Sequence, residues 1–224
     1  MPETLTIYDR LIGLPLFQGM SSSDLQDIVS RVRFGFRRYS KNTTIVSGSD
    51  KCDGLLFLLD GETDMISVSA DHSYRVTEDL AAPGIIEPER VFGLQQHYMR
   101  TYRTRTICHL LHIGKDDVIL LSSEFMVFRL NLLNIISTQS QRHQKELWRH
   151  HPENALEKIQ RFLSLHTATQ TGKKTFHIKM RQLAAETGLT RNEVSAALNA
   201  LQSAGKIILQ RGIITIPKME HLRM

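Results

Sequence analysis

The spacing of apolar and polar positions changes twice along the chain and predicts three kinds of structure. Residues 14–30 open with Leu14-Pro15-Leu16-Phe17, and Ser21-Ser22-Ser23-Asp24 suits the cap of a helix that places Leu25, Ile28, Val29 and Val32 on one face. From Phe34 to about Gly114, short runs rich in β-branched and aromatic residues alternate with turn residues. The runs are Phe34-Gly35-Phe36, Thr44-Ile45-Val46, Leu55 to Leu59, Met65 to Val68, Tyr74-Arg75-Val76 and Thr104 to Cys108. Asp60-Gly61 after an apolar run suits a tight hairpin, because glycine tolerates positive φ. Many short strands with frequent turns predict an all-β roll, barrel or sandwich. From about Glu124 to His150 neither Gly nor Pro occurs. Met126, Leu130, Leu133 and Ile136, continued by His143 and Leu147, recur at helical steps, beside a second seam of Phe125, Phe128, Leu132 and Ile135. One helix of about 25 residues, some 38 Å long, follows from this spacing. Its apolar stripe suits a second copy of itself.

Pro152 ends or kinks that helix, and Asn154-Ala155-Leu156-Glu157 has the spacing of a capping box for the next one. That helix carries Ile159, Phe162, Leu163 and His166 on one face. A polar loop over Thr167 to Lys174 separates it from a short strand, Thr175-Phe176-His177-Ile178. Lys179 to Thr187 reads as a helix stopped by Gly188, with Leu189 as the turn residue turned inward. Thr190-Arg191-Asn192-Glu193 is another capping box and opens a helix whose stripe is Val194, Leu198 and Leu201. Gly205 closes it, and Lys206 to Gln210, Arg211-Gly212 and Ile213 to Ile216 read as a β-hairpin. Helix, glycine turn, helix and hairpin predict a winged helix-turn-helix. Small Ala184 lets the two helices approach closely.

Charge sharpens this picture. The chain of 224 residues carries a net +5, but residues 155–224 hold 11 Lys+Arg against 4 Asp+Glu, while residues 1–154 are slightly acidic. A basic module on a nearly neutral one points to a polyanion at the C-terminal end. A recognition helix would enter the major groove N-terminus first, with Thr190, Arg191, Asn192 and Glu193 leading. Arg191 suits a bidentate contact to guanine, and Asn192 suits adenine. Ser195 and Asn199 lie further along the same helix, and Glu193 has a competing use in its own cap. Lys179, Arg181, Lys206, Gln210 and Arg211 are candidates for phosphate contacts that set register. Double-stranded DNA is thus the expected partner.

Other chemistries find little support. Cys52 and Cys108 lack metal-ligand spacing and read as free thiols of a cytoplasmic protein, with no metal and no cofactor expected. No run of 18 apolar residues is present, no membrane association is expected, and residues 1–10 show no secretory signal. No nucleophile elbow, P-loop, HExxH or strand-linked GxGxxG occurs, so no catalytic residue is assigned and an enzyme is not expected.

Three segments together resemble the CRP/FNR family of regulators: Leu16 to Ser21, Leu55 to Glu62, and Leu183-Ala184…Gly188-Leu189-Thr190-Arg191…Val194-Ser195…Leu198…Leu201…Gly205-Lys206-Ile207. The resemblance implies an α+β chain: a cyclic-nucleotide-binding-like β-roll over 1–123, a dimerisation helix over 124–151 and a winged helix-turn-helix over 152–224. It implies a homodimer on a two-fold symmetric DNA site, and RNA polymerase as a further partner. Members similar to the cyclic-AMP receptor protein have Arg-Glu and, four residues on, a second Arg; here Arg191-Asn192 and Ala196 stand there. Cyclic-nucleotide binders carry a Gly-Glu pair for the ribose and an Arg-Ser pair for the phosphate. Aligned back from Cys108, those places hold Glu87-Pro88 and Tyr98-Met99, so the cation for a phosphate is missing in register and a cyclic-AMP response is not expected. Arg100, Arg103 or Arg105 would serve only from a shifted loop. Glu87, Tyr98, Arg103, His143 and Gln144 are the candidate effector pocket, its effector unassigned. Two cysteines cannot hold an iron–sulfur cluster of the family's kind, and ten histidines leave haem open, although His143, His150 and His151 read as helix-surface residues. The competing reading is a ligand-sensing module of the cyclic-nucleotide-binding type with DNA binding secondary.

Overall fold

The computed structural model of the chain describes residues 7–148 and 151–222. By packing, these divide into two units. The first takes the described residues up to Thr63 together with Leu80–Lys145; the second takes Asp64–Asp79 and the described residues from Glu146 onward. The hairpin over Asp64–Asp79, which the sequence reading assigns to the roll, therefore groups with the C-terminal elements.

The first unit begins with α1 (Ile7–Ile12), a 3-10 turn at Pro15–Phe17 and α2 (Ser22–Arg31). Ser21 caps α2: its Oγ accepts the Asp24 N–H, and the Asp24 carboxylate accepts the Ser21 N–H. Leu25, Ile28 and Val32 are buried on the predicted face. The strands are β1 (Phe34–Tyr39), β2 (Thr44–Val46), β3 (Gly54–Asp60), β4 (Glu62–Val68), β5 (Arg75–Ala81), β6 (Gly84–Ile86), β7 (Thr101–Thr104) and β8 (Cys108–Gly114), with β4 and β5 divided between the two units. One antiparallel sheet has the order β1-β8-β3-β6. Its strand β3 is a continuous apolar run, and Leu55, Leu56, Phe57 and Leu58 are all buried, as a strand covered on both faces requires. Gly61 makes the turn to β4 at φ 98°, where a Cβ would stand 2.6 Å from the Ile107 carbonyl oxygen. The expected strand across 104–108 is a turn instead: β7 ends at Thr104, β8 starts at Cys108, and the Thr106 hydroxyl accepts the Glu62 N–H in between. β6 lies outside the runs that the sequence marks as strands.

The helix expected over 124–150 is present as one helix from Met126 to Leu147, and a shorter helix not foreseen from the sequence precedes it. Helices α3 (Lys115–Glu124) and α4 (Met126–Leu147) bend by 114° at Phe125, whose backbone is extended. The two apolar seams of α4 part company. Phe128 and Leu132 face the core, where Phe128 meets Phe17 edge-on at 5.4 Å and Phe17 lies 6.1 Å from Phe57. Asn131 ties the same side down by donating to the Leu16 and Gln18 carbonyls. Met126, Leu130 and Leu133 instead remain 64%, 50% and 53% exposed. The Leu147 side chain and His150 lie outside the described residues. No single described helix is long and apolar enough to cross a membrane.

The second unit contains α5 (Ala155–Leu165), β9 (Lys174–His177), α6 (Met180–Thr187), α7 (Arg191–Ser203), β10 (Ile208–Gln210) and β11 (Ile213–Ile216). Asn154 caps α5 by accepting the Glu157 N–H at 3.0 Å. The Glu157 carboxylate reaches past the predicted partner: it accepts from the Asn154 side-chain amide and the Glu153 N–H rather than from the Asn154 N–H. Strand β9 lies between β11 and β5, with Thr175 opposite Thr215 on one side and Thr77 on the other. Val76, Ile159, Phe162, Leu163, Phe176, Leu183, Val194, Leu198, Leu201 and Ile216 make one core, and Tyr74 packs edge-on against Phe162 at 5.6 Å. The hairpin thus supplies a strand and two side chains to this core.

Its polar centre is equally closed. Lys174 Nζ lies 2.7 Å from Glu78 Oε2, and both side chains are fully buried. The Glu78 carboxylate also accepts the N–H groups of Ala168, at 2.7 Å, and Thr169, at 3.2 Å, while Lys174 Nζ donates to the Thr169 hydroxyl. A buried ion pair is tolerated only with this kind of full hydrogen bonding.

Candidate nucleic-acid interface

Helix α6 ends on Gly188, which takes φ 64° at no steric cost, and the Leu189 N–H returns to the Ala184 carbonyl at 3.0 Å. Leu183 in α6 and Val194, Ala197, Leu198 and Leu201 in α7 are buried, with Ala184 and Leu189 half-buried beside them. That apolar stripe fixes which face of α7 is left outside. Arg191, Asn192 and Asn199 are exposed, and Ser195 is half-buried. Lys179, the N-cap of α6, and Arg181 are exposed, as are Gln210 and Arg211 at the tip of the β10–β11 hairpin; Lys206 is half-buried ahead of that hairpin.

The first turn of α7 separates two roles. Thr190 Oγ1 accepts the Glu193 N–H at 3.3 Å, and Glu193 Oε2 accepts from the Thr190 N–H and hydroxyl at 2.8 and 2.7 Å. These bonds from Thr190 hold the Glu193 carboxyl below its ordinary range. Thr190 and Glu193 are therefore consumed by the cap. The side chains of Arg191 and Asn192 make no hydrogen bond or ion pair among the described residues. The same holds for the side chains of Lys179, Arg181, Lys206 and Arg211. A positively polarised helix end flanked by unengaged Arg, Asn and Lys groups is chemically suited to phosphates and base edges.

A family model described as a Crp-like helix-turn-helix domain matches residues 157–224. The C-terminal unit carries a Crp-like helix-turn-helix domain. The catabolite activator protein of Thermus thermophilus is similar in fold, at 20% identity and a TM-score of 0.55 over 93% of this chain and 96% of that one. The sensor domain of the transcriptional regulator DNR of Pseudomonas aeruginosa is similar at 15% identity and a TM-score of 0.51, over 63% of this chain and 92% of that one. No curated protein matches the chain in sequence. The described chain thus combines a β-rich region similar in fold to that of the catabolite activator protein with a Crp-like helix-turn-helix domain.

Outside the Crp-like domain, the described candidate effector residues come from several elements of the first unit. Glu87 is 4% exposed and its carboxylate is engaged by its own chain. Tyr98 is buried against Cys52, and burial pushes its phenol well above the ordinary value. Arg103 is exposed on β7, donating from Nε to the Asn42 carbonyl, and Gln144 is exposed on α4. The His143 side chain lies outside the described residues. Of the alternatives in the shifted loop, Arg100 comes within 3.5 Å of Glu87, whereas Arg105 pairs with Glu62. The residues missed by sequence reasoning are Arg90, which approaches Glu87 to 3.8 Å, and Tyr102, whose hydroxyl donates to Glu87 at 3.4 Å. Their only sequence signal was a local density of Arg and Tyr after Glu87. Cys52 and Cys108 are free and buried, and no cluster of three metal-ligating side chains exists among the described residues.

Proposed function

We propose that the chain acts as a homodimer on a two-fold symmetric DNA site, reading each half-site with the first turn of α7, and that cyclic AMP does not gate it. The observation that supports base reading is the division of labour at that turn. Thr190 and Glu193 are spent on the cap, so Arg191 and Asn192 project from a fixed frame with their donors and acceptors unspent. Arg191 is assigned to guanine and Asn192 to adenine, with Ser195 and Asn199 further into the groove. Lys179, Arg181, Lys206, Gln210 and Arg211 are assigned to phosphates on either side.

The exposed Met126, Leu130 and Leu133 on α4 support the dimer: an apolar seam at these spacings suits a partner helix. Tyr98-Met99 at the place of the phosphate pair supports independence from cyclic AMP, since Tyr98 supplies no cation and is buried against Cys52. RNA polymerase is the further partner this reading implies. Selection of bound duplexes from a random DNA pool tests the whole reading. It should return two inverted half-sites at one fixed spacing, each containing a guanine whose selection is lost with Arg191→Ala. An asymmetric single site would end the dimer reading. Binding should also weaken steeply as salt is raised, because released counterions dominate such contacts.

A further inference from the structure

Strand β5 lies in the same sheet as the β10–β11 wing, and one of its side chains has no use in the reading of α7. Arg75 stands opposite His177 of β9, His177 opposite Ile213 of β11, and Ile213 opposite Gln210 of β10. These four residues make one row across the sheet. The next row, Val76, Phe176, Ile214 and Leu209, packs into the core of the C-terminal unit. Side chains alternate between the two faces of a strand, so the row of Arg75 belongs to the outer face. Adjacent strands lie about 4.8 Å apart, and three such spacings put the Arg75 backbone about 14 Å from that of Gln210.

The outward cations gather at this end of the sheet. The Ile178 N–H donates to the Gly212 carbonyl at 3.0 Å, which holds the wing tip against the end of β9, and Lys179 follows at once as the N-cap of α6. Lys179, Gln210 and Arg211 are exposed there, and Arg75 is exposed with them. The Arg75 side chain makes no hydrogen bond or ion pair among the described residues. Asp71, at the tip of the β4–β5 hairpin, accepts instead from the Ser69 and Ser73 hydroxyls and the Ser73 N–H. The neighbours of Arg75 are both anchored: Tyr74 packs against Phe162, and Val76 is in the core. Strand β5 has β9 on one side and β4 on the other, so Arg75 does not serve as the charge that guards an open strand edge.

We propose that Arg75 is a further phosphate contact of the DNA interface, carried on the β4–β5 hairpin and placed beyond the wing on the flank of each half-site. The inference rests on the reading of α7 and extends the footprint to a residue outside the basic C-terminal segment. A duplex carries one negative charge per about 1.7 Å of its axis, so a cation about 14 Å from the wing has phosphates of its own to meet. The arginine comes from the half of the chain that is acidic on balance, and the pairing of β5 with β9 is what delivers it to the basic end.

The test uses the full chain, the duplex that the parent selects and a random duplex of the same length, with binding measured over a salt series. Arg75→Gln should weaken binding to both duplexes by the same factor, about two- to fivefold. The slope of log affinity against log salt should become shallower by about 0.9, the counterion release of one phosphate. Arg75→Lys should restore most of that slope, and base preference should stay as in the parent. Parental affinity and slope in Arg75→Gln would overturn the proposal, as would a loss confined to the selected duplex. Arg37→Gln removes an exposed cation of the first unit. An equal loss there would show a general effect of net charge and no contact at Arg75. Should Arg75→Gln fail to fold, the Arg75 Nε resonance of the unaltered protein decides: it should shift saturably with either duplex, and a resonance that stays put ends the proposal. A parent that binds no duplex ends this contact together with the reading of α7, whereas a null result at Arg75 alone leaves Arg191 and its base in place.

Discussion

Each unit buries one glutamate on a pair of successive backbone N–H groups, and the two are finished differently. In the C-terminal unit, Glu78 receives Ala168 and Thr169 and is closed by Lys174 at 2.7 Å, with neither charge reaching solvent. In the roll, Glu87 receives Met99 and Arg100, but its guanidinium partners stand 3.5 and 3.8 Å away and are themselves 17% and 22% exposed. Every buried side-chain polar atom named in the first arrangement has a partner, whereas the second leaves Arg90 Nε unmatched. The same backbone device is therefore closed off from water where the cation is sealed in, and stands at the edge of solvent where the cations line the rim. The C-terminal unit keeps its spare charge outside, on Lys179, Arg181, Arg191 and Arg211, where a polyanion can reach it.

If Glu78 belongs to a sealed arrangement, removing it should produce the largest loss in the molecule. Glu78→Ala strands the Lys174 ammonium and two backbone N–H groups in a dry core, which costs about 3–5 kcal/mol. Chemical denaturation followed through the C-terminal unit measures it. Glu87→Gly in the roll should cost clearly less, because its cations can turn to water and its left-handed backbone, at φ 36°, is relieved. Equal losses at the two sites would erase the distinction between the sealed and the open arrangement.

The outward charges are separated from the inward ones by the next effect. Arg191→Ala should weaken binding to the selected duplex by about 1–3 kcal/mol and relax the preference at one base. The denaturation midpoint should stay where it was, since the exposed side chain makes no hydrogen bond or ion pair among the described residues. Equal weakening on selected and random duplexes would reassign Arg191 to phosphate. Thr190→Ala is smaller and of mixed character. It removes the N-cap of α7 and should cost about 1 kcal/mol of stability. It also frees the Glu193 carboxylate, whose ionised form the Thr190 bonds favour. DNA binding of that variant should fall further than its stability, because an unbonded carboxylate then stands beside the phosphates.

What the sequence made legible follows from how local each signal is. The Thr190–Glu193 box and Gly188 announce themselves within four residues, and α6, α7 and the β10–β11 hairpin appear at the expected places. The break at Phe125 carries no Gly or Pro; it exists because Phe128 and Leu132 turn inward to meet Phe17 while α3 follows the sheet, a choice made by packing. The pairing of β5 with β9 joins segments about 100 residues apart, and nothing near either strand marks it. Lys174 was therefore counted with the basic surface, although Glu78 takes it inside. The cradle around Glu87 was half legible. The family resemblance points to Glu87 and Tyr98, but the groups that hold the carboxylate are largely backbone amides, which every residue but proline possesses.

The smallest predicted effect probes the same β5–β9 ladder from its exposed end. His177 pairs in register with Arg75. Partial burial, and then the Arg75 charge, lower the His177 pKa. A histidine that resists protonation when folded binds its proton first in the unfolded chain. Stability is therefore full above the ordinary histidine value of about 6.5 and declines as the pH falls from there toward the lowered value in the folded protein. Below that lower value both states are protonated and the decline stops. His177→Asn cannot titrate, so its stability profile should lack this shallow step while keeping the larger acid transition of the carboxylates. An identical step in both proteins would place the titrating group elsewhere than on the β5–β9 ladder.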